Sequence, residues 1–277
     1  MNLTKKLVIF TIIGIGIYSI ILLVSDISAV YEKFRSFKIE YVPIILLLVF
    51  SSWCVLYARW MLLLKNSQIT ISAKDNFLIY FAGFALAITP AKSGELVKSM
   101  ILKEKFDIPH SRSVPVILME RFYDVIGTLI ISLLGLWFFG LASLPIVIIA
   151  AGVIALAFCA VYSSKIFNVF LRFFNKLNFF QKLTTPLLSL QETVKKSSKS
   201  KIALVSTTLT VVYRLIEALA IYVVLLGFGI DLIYYLNLAA LYSFSIILGN
   251  ISFVPGGLGV TEGSLTGLLS IQGIEFS

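Results

Sequence analysis

Residues 84–103, FALAITPAKSGELVKSMILK, impose the tightest constraint on the fold, because an apolar run breaks at Thr89-Pro90 and at once delivers Lys92, Glu95 and Lys98. A helix from Asn76 to Pro90 would rise about 22 Å, short of the roughly 30 Å of hydrocarbon in a bilayer. The segment is therefore expected to enter a membrane without crossing it. Bent backbone at that depth exposes amide and carbonyl groups, each costing several kcal/mol in hydrocarbon, and is tolerated only against protein or a wet cavity. A break here implies a polar pocket.

The rest of the chain supplies a membrane scaffold. With 59% hydrophobic and 13% charged residues among 277, it carries too much apolar surface for an ordinary globular core. Its apolar runs are continuous and rich in Leu, Ile and Val, where a transmembrane barrel would show alternating segments of about ten residues. The expected class is an all-α, polytopic helical membrane protein, a single domain over residues 1–277. Full spans are expected at about 7–24, 42–64, 114–139, 144–161 and 202–226, with a further apolar run at 233–254. Arg59, near the inner end of its span, is expected to snorkel toward the interface. Cys54 and Cys159 fall inside apolar runs and read as packing residues. His110 lies in the polar link 104–112 without clustered ligands, so it reads as a solvated residue, and no metal or cofactor is expected.

Charge bias sets the threading. Residues 165–201 carry Lys165, Arg172, Lys176, Lys182, Lys195, Lys196, Lys199 and Lys201 against the single acid Glu192. Ile166, Val169, Phe170, Phe173 and Leu177 recur there at helical spacing, as in a helix lying among lipid headgroups. This basic amphipathic linker is expected on the cytoplasmic side of the cell membrane, as are Lys5, Lys6 and the N-terminus. Both ends of residues 76–103 then face the cytoplasm. About 28 residues are too few for two spans of roughly 20, so a re-entrant hairpin is the economical solution. Residues 253–262 offer a counterpart, in which Pro255, Gly256, Gly257 and Gly259 precede Glu262 and a short helix. Paired broken segments in corresponding positions, here in an inverted-repeat arrangement, point to a transporter's midplane site.

Charged residues within the spans mark the candidate site. Glu120, Arg121 and Asp124 share about 100° of one helix face, and Gly127, Thr128 and Gly135 extend it with small groups. Arg214 and Glu217 are three apart in the fifth span. On one reading these residues are a buried network that locks helices together. On the other, Arg121, Arg214 and Lys98 hold an anionic headgroup while Glu120, Asp124, Glu217, Glu95 and Glu262 balance charge or relay protons. A purely structural network would tend to one-to-one pairing, so surplus charge favours the second. The turn Gly256-Gly257-Leu258-Gly259, ahead of a helix start, adds backbone N–H groups suited to phosphate.

The three stretches ITPAKSGELVKSMILKEKF, MERFYDVIGTLI and NISFVPGGLGVTEGSL, in this order, resemble the motifs of the lysylphosphatidylglycerol synthase transmembrane-region family, also called the flippase-like domain family. By that resemblance Pro90, Gly94 and Glu95 match the first motif, Glu120, Arg121 and Asp124 the second, and Pro255, Gly256, Gly257, Gly259 and Glu262 the third. The resemblance implies an all-helical module that, in bacterial two-domain members, translocates an aminoacylated phospholipid made by an attached soluble domain. Archaeal relatives are associated with polyprenyl-linked glycan pathways. Residues 165–201 are too short and too basic to form such a soluble domain, so the expectation is a stand-alone member that does not synthesise lipid. Members commonly continue with a further span, so a chain stopping at Ser277 reads as a shortened or incomplete member. The expected function is a flippase or scramblase for an anionic phospholipid or polyprenyl-phosphate-linked lipid. The alternatives are a scaffold partner of a glycosyltransferase and a lipid-modifying transferase, the latter disfavoured because no intramembrane histidine cluster or paired ligand set is present. Expected partners are membrane lipids with anionic headgroups and a glycosyltransferase or lipid synthase, with no nucleic acid.

Overall fold

The computed structural model of the chain describes residues 27–86, 89, 94–136, 152, 201–252 and 254–274. The spans expected at 7–24 and 144–161, the linker 165–200, and Pro90 and Lys92 lie outside the described residues. Among those described, every regular element is helical: α1 (Ile27–Ser36), α2 (Val42–Asn66), α3 (Ala73–Ala85), α4 (Val97–Phe106), α5 (His110–Leu136), α6 (Lys201–Gly227), α7 (Tyr235–Ile251) and α8 (Val260–Ile271).

Among the described residues two helices have the length and hydropathy to cross a bilayer, α2 with its preceding turn (Ile39–Asn66) and α6 (Lys201–Gly227). At 1.5 Å per residue each extends about 40 Å. Helix α2 starts with Pro43 in its first turn, where a missing N–H costs nothing. Its outward side exposes Leu46, Leu47 and Phe50, while Leu56, Trp60, Leu63 and Leu64 are buried. That division suits a helix with lipid on one side and protein on the other. Helix α6 packs extensively along α2 and also contacts α5, while α7 packs on α5 and α6 and carries α8. A Cβ on Gly127 of α5 would lie 2.3 Å from Thr210 Cγ2 of α6, so this glycine is what lets the two backbones approach.

Helices α3 and α4 form a short pair packed together, with α4 against α5. Ser72 caps α3 by accepting from the Asp75 N–H at 3.1 Å. The helix ends at Ala85, so the break begins earlier than the expected Thr89-Pro90. Local contacts explain the shift. Thr89 donates its hydroxyl to the Leu86 carbonyl at 3.0 Å and accepts from the Gly94 N–H at 2.6 Å. One side chain thereby satisfies backbone groups on both sides of the break. Only a glycine fits at position 94, because a Cβ there would lie 2.3 Å from the Leu86 carbonyl oxygen.

Candidate functional site

The break places Glu95, and α4 places Lys98, against the polar stretch of α5. Lys98 is guided there by Gly83, since a Cβ at that position would lie 2.4 Å from Lys98 Cγ. Its ammonium sits 4.4 Å from the Trp60 ring centroid and 5.4 Å from that of Tyr80. Such faces attract a cation once water is excluded. The Trp60 indole in turn donates to Asn76 Oδ1 at 2.8 Å, which fixes the ring.

From Lys98 a continuous network of charge runs through the bundle. Lys98 Nζ donates to Glu120 at 2.5 Å and to Glu95 at 3.1 Å. Arg121 donates to Glu95 at 3.0 Å and reaches Asp124 at 2.9 Å. Asp124 also accepts from Arg59 at 2.6 Å and from the Tyr213 hydroxyl at 3.3 Å. Arg59 extends to the Thr210 hydroxyl at 2.7 Å. Arg214 donates to the Thr128 hydroxyl at 3.0 Å and to Glu217 at 2.8 Å. Helices α2, α4, α5 and α6 thus all contribute side chains to one charge cluster.

A cavity of about 180 Å³ opens inside this cluster, lined by Leu56, Arg59, Tyr80, Phe84, Glu95, Lys98, Glu120, Arg121, Asp124, Tyr213, Arg214 and Glu217. That is room for several waters at about 30 Å³ each, or for a small polar group. The lining is graded. The side chains of Arg121 and Glu217 are 27% and 28% exposed, whereas Arg59 and Lys98 are 1% and 2% exposed. The cavity is thus partly open at Arg121 and Glu217 and closed at Arg59 and Lys98.

The eight sequence-predicted residues of the intramembrane motifs divide as follows. Lys98, Glu95, Glu120, Arg121, Asp124, Arg214 and Glu217 converge on the cavity. Glu262 is apart from them, exposed, and accepts from the Gly259 N–H at 2.7 Å, so it caps its own helix. Gly256, Gly257 and Gly259 adopt φ of 64°, 68° and 79°, the left-handed region that favours glycine, and do not line the cavity.

Arg59 escaped sequence reasoning. It is buried in the cluster and does not snorkel. With it the count among the described residues becomes even: Arg59, Lys98, Arg121 and Arg214 face Glu95, Glu120, Asp124 and Glu217. The expected surplus of charge is therefore corrected to a balance. The available signal was the cost of any arginine inside an apolar span, which presupposes a partner. Tyr213 and Thr210 gave no comparable signal. His110 is exposed, as expected of a solvated residue, and its Nδ1 and the Ser113 hydroxyl lie 2.7 and 2.6 Å from the Ser99 hydroxyl, fastening α4 to the start of α5. No group of three or more His, Cys, Asp or Glu residues suited to a metal ion occurs among the described residues.

Residues 11–277 match the sequence pattern of the family described as the lysylphosphatidylglycerol synthase TM region. A UPF0104 membrane protein of Methanocaldococcus jannaschii is 27% identical over 202 residues, covering 70% of this chain and 82% of that protein. No solved structure matches the chain at a significant level.

Proposed function

The chain belongs to the lysylphosphatidylglycerol synthase transmembrane-region family, and from that premise we propose that it moves an anionic phospholipid or polyprenyl-phosphate-linked lipid between leaflets. The observation that carries this reading is the graded cavity, with Arg121 at its open end and a charge cluster behind it. A phosphate headgroup meets a guanidinium there, while the outward apolar side chains of the bundle leave the tails in lipid. Arg121 Nε is buried and makes no hydrogen bond among the described residues, which leaves a donor for such a group.

The proposed threading has α3, the break and α4 as a re-entrant hairpin, since the 13 residues of α3 rise only about 20 Å. The N-terminus and residues 165–201 lie on the cytoplasmic side. The segment before α8 is the second broken segment of an inverted repeat. The roles proposed for Glu262 and the Gly256-to-Gly259 turn are structural, in that they start α8.

The balanced pairing favours one other reading, a scaffold whose charges lock helices while a glycosyltransferase partner acts. Leaflet exchange in liposomes separates the two. The native chain is expected to accelerate exchange of labelled anionic lipids, and Arg121→Ala to slow it about tenfold or more, equivalent to about 1.4 kcal/mol or more. Exchange no faster with the native chain than in empty liposomes favours the scaffold.

A further inference from the structure

The ion pairs of the cluster are not equivalent. Both acids that hold Arg121 already have a second cation. The Glu95 Oε2 atom that accepts from Arg121 at 3.0 Å also accepts from Lys98 at 3.1 Å. Asp124 meets Arg121 through Oδ2 at 2.9 Å and Arg59 through Oδ1 at 2.6 Å. Arg214, by contrast, is the partner of Glu217 and is 5% exposed. Arg121, at 27%, is the most exposed of the four cations, and its departure leaves no acid without a counter-charge.

Its departure has a second effect. With Arg121 turned to an anionic group, Lys98 alone serves Glu95 and Glu120. Among the described residues the cluster holds equal numbers of positive and negative side chains, so an entering anion leaves these one charge negative. Uncompensated charge inside a membrane bundle costs several kcal/mol. Two carboxylates against one ammonium relieve it most simply by binding one proton between them.

We propose that Arg121 exchanges its two acids for an anionic phosphate headgroup, and that the Glu95 and Glu120 pair takes up a proton as it does so. The proton enters from water at the open end of the cavity, binds one carboxylate oxygen, and leaves when the headgroup does. The charged and titratable groups around the pair fit that assignment. Helix α4 presents Lys98, α5 presents Arg121 and Asp124, and α3 presents the Tyr80 hydroxyl. Helix α2 presents Arg59, whose charge is met by Asp124, and α6 presents Tyr213, Arg214 and Glu217, of which Tyr213 also bonds Asp124. Among the described residues Lys98 is thus the one cation hydrogen-bonded to both members of the pair.

This inference rests on the proposed capture of an anionic lipid, and its test separates the two. The purified full chain is titrated calorimetrically with dihexanoyl phosphatidylglycerol in two buffers of different ionisation enthalpy. Uptake of about one proton per lipid makes the two heats differ, and affinity rises as pH falls, by at most about tenfold per unit. Glu95→Gln, which carries the neutral form permanently, is expected to bind with equal heats in both buffers and a flat pH profile. Glu120→Gln serves the same purpose if that protein does not fold. Binding by the native chain with equal heats in the two buffers overturns proton uptake and leaves lipid capture standing. No binding by the native chain overturns both.

Discussion

At the break between α3 and α4 Glu95 is buried and gives its carboxylate to Lys98 and Arg121, whereas before α8 the exposed Glu262 gives its carboxylate to the Gly259 N–H. Both breaks follow an apolar run and contain proline, glycine and glutamate. What differs is the surface opposite. The first break faces the charged stretch of α5, so its glutamate finds cations; the second lies on α7, where Gly249 and Gly257 pack together and whose own sequence carries no charged residue. A glutamate after a glycine break becomes part of a site when the neighbouring helix supplies charge, and a helix cap when it does not.

The largest effects should separate the two regions most clearly. Glu120→Ala strips Lys98 of its 2.5 Å partner and leaves a buried ammonium short of negative charge. Breaking such a pair costs about 3–5 kcal/mol, whereas losing the cap in Glu262→Ala costs about 1 kcal/mol. Thermal unfolding of the three proteins in one detergent checks this. Comparable losses in the two variants would mean that the second break carries as much of the structure as the first.

The extents of the long helices were legible because each is an apolar run of span length. The expected spans 42–64 and 202–226 appear as Val42–Asn66 and Lys201–Gly227, and the run 233–254 contains Tyr235–Ile251. Glu120, Arg121 and Asp124 were legible as a cluster because helical spacing alone puts them on one face. Arg59 was not. A lone arginine near a span end reads equally well as snorkelling, and what decides otherwise is Asp124 and Thr210, 65 and 151 positions away in the chain. The misjudged charge surplus has the same origin, since it left Arg59 out. The start of the break was missed because a proline rule is local, while the approach of Gly94 to the Leu86 carbonyl is not.

A smaller effect tests the backbone of each break. Gly94→Ala forces a Cβ to 2.3 Å from a backbone oxygen, whereas Gly257→Ala, at φ of 68°, brings one to 2.7 Å from Thr261 Oγ1 and 3.2 Å from Gly249 Cα. Both are expected to lose about 1–3 kcal/mol of stability. Only the first should also disturb the cavity, because Glu95 follows Gly94 directly. Lipid exchange is therefore expected to fall in Gly94→Ala and to stay near native in Gly257→Ala. The opposite order would place the working surface at the second break.

The smallest effect lies at the end of the α3 and α4 pair away from the break, where the start of α3 is tied to the end of α4. The Lys105 ammonium donates to Asp75, as does the Ser72 hydroxyl. The hydrogen bond from Lys105, then that from Ser72, holds the Asp75 carboxyl below its ordinary 3.8. A lowered value in the folded state means the pair's contribution is fully present above the unfolded value, about 4, and is lost as pH falls through the folded one. Exposed pairs of this kind contribute little, so Asp75→Asn should lower the unfolding temperature only slightly at pH 7. The difference from the native chain should shrink toward zero as the pH is taken well below about 4. Unfolding curves for both proteins at neutral and acid pH decide it. A gap of the same size at acid pH would show that Asp75 acts through the hydrogen bond it accepts from the Ser72 hydroxyl and not through its charge.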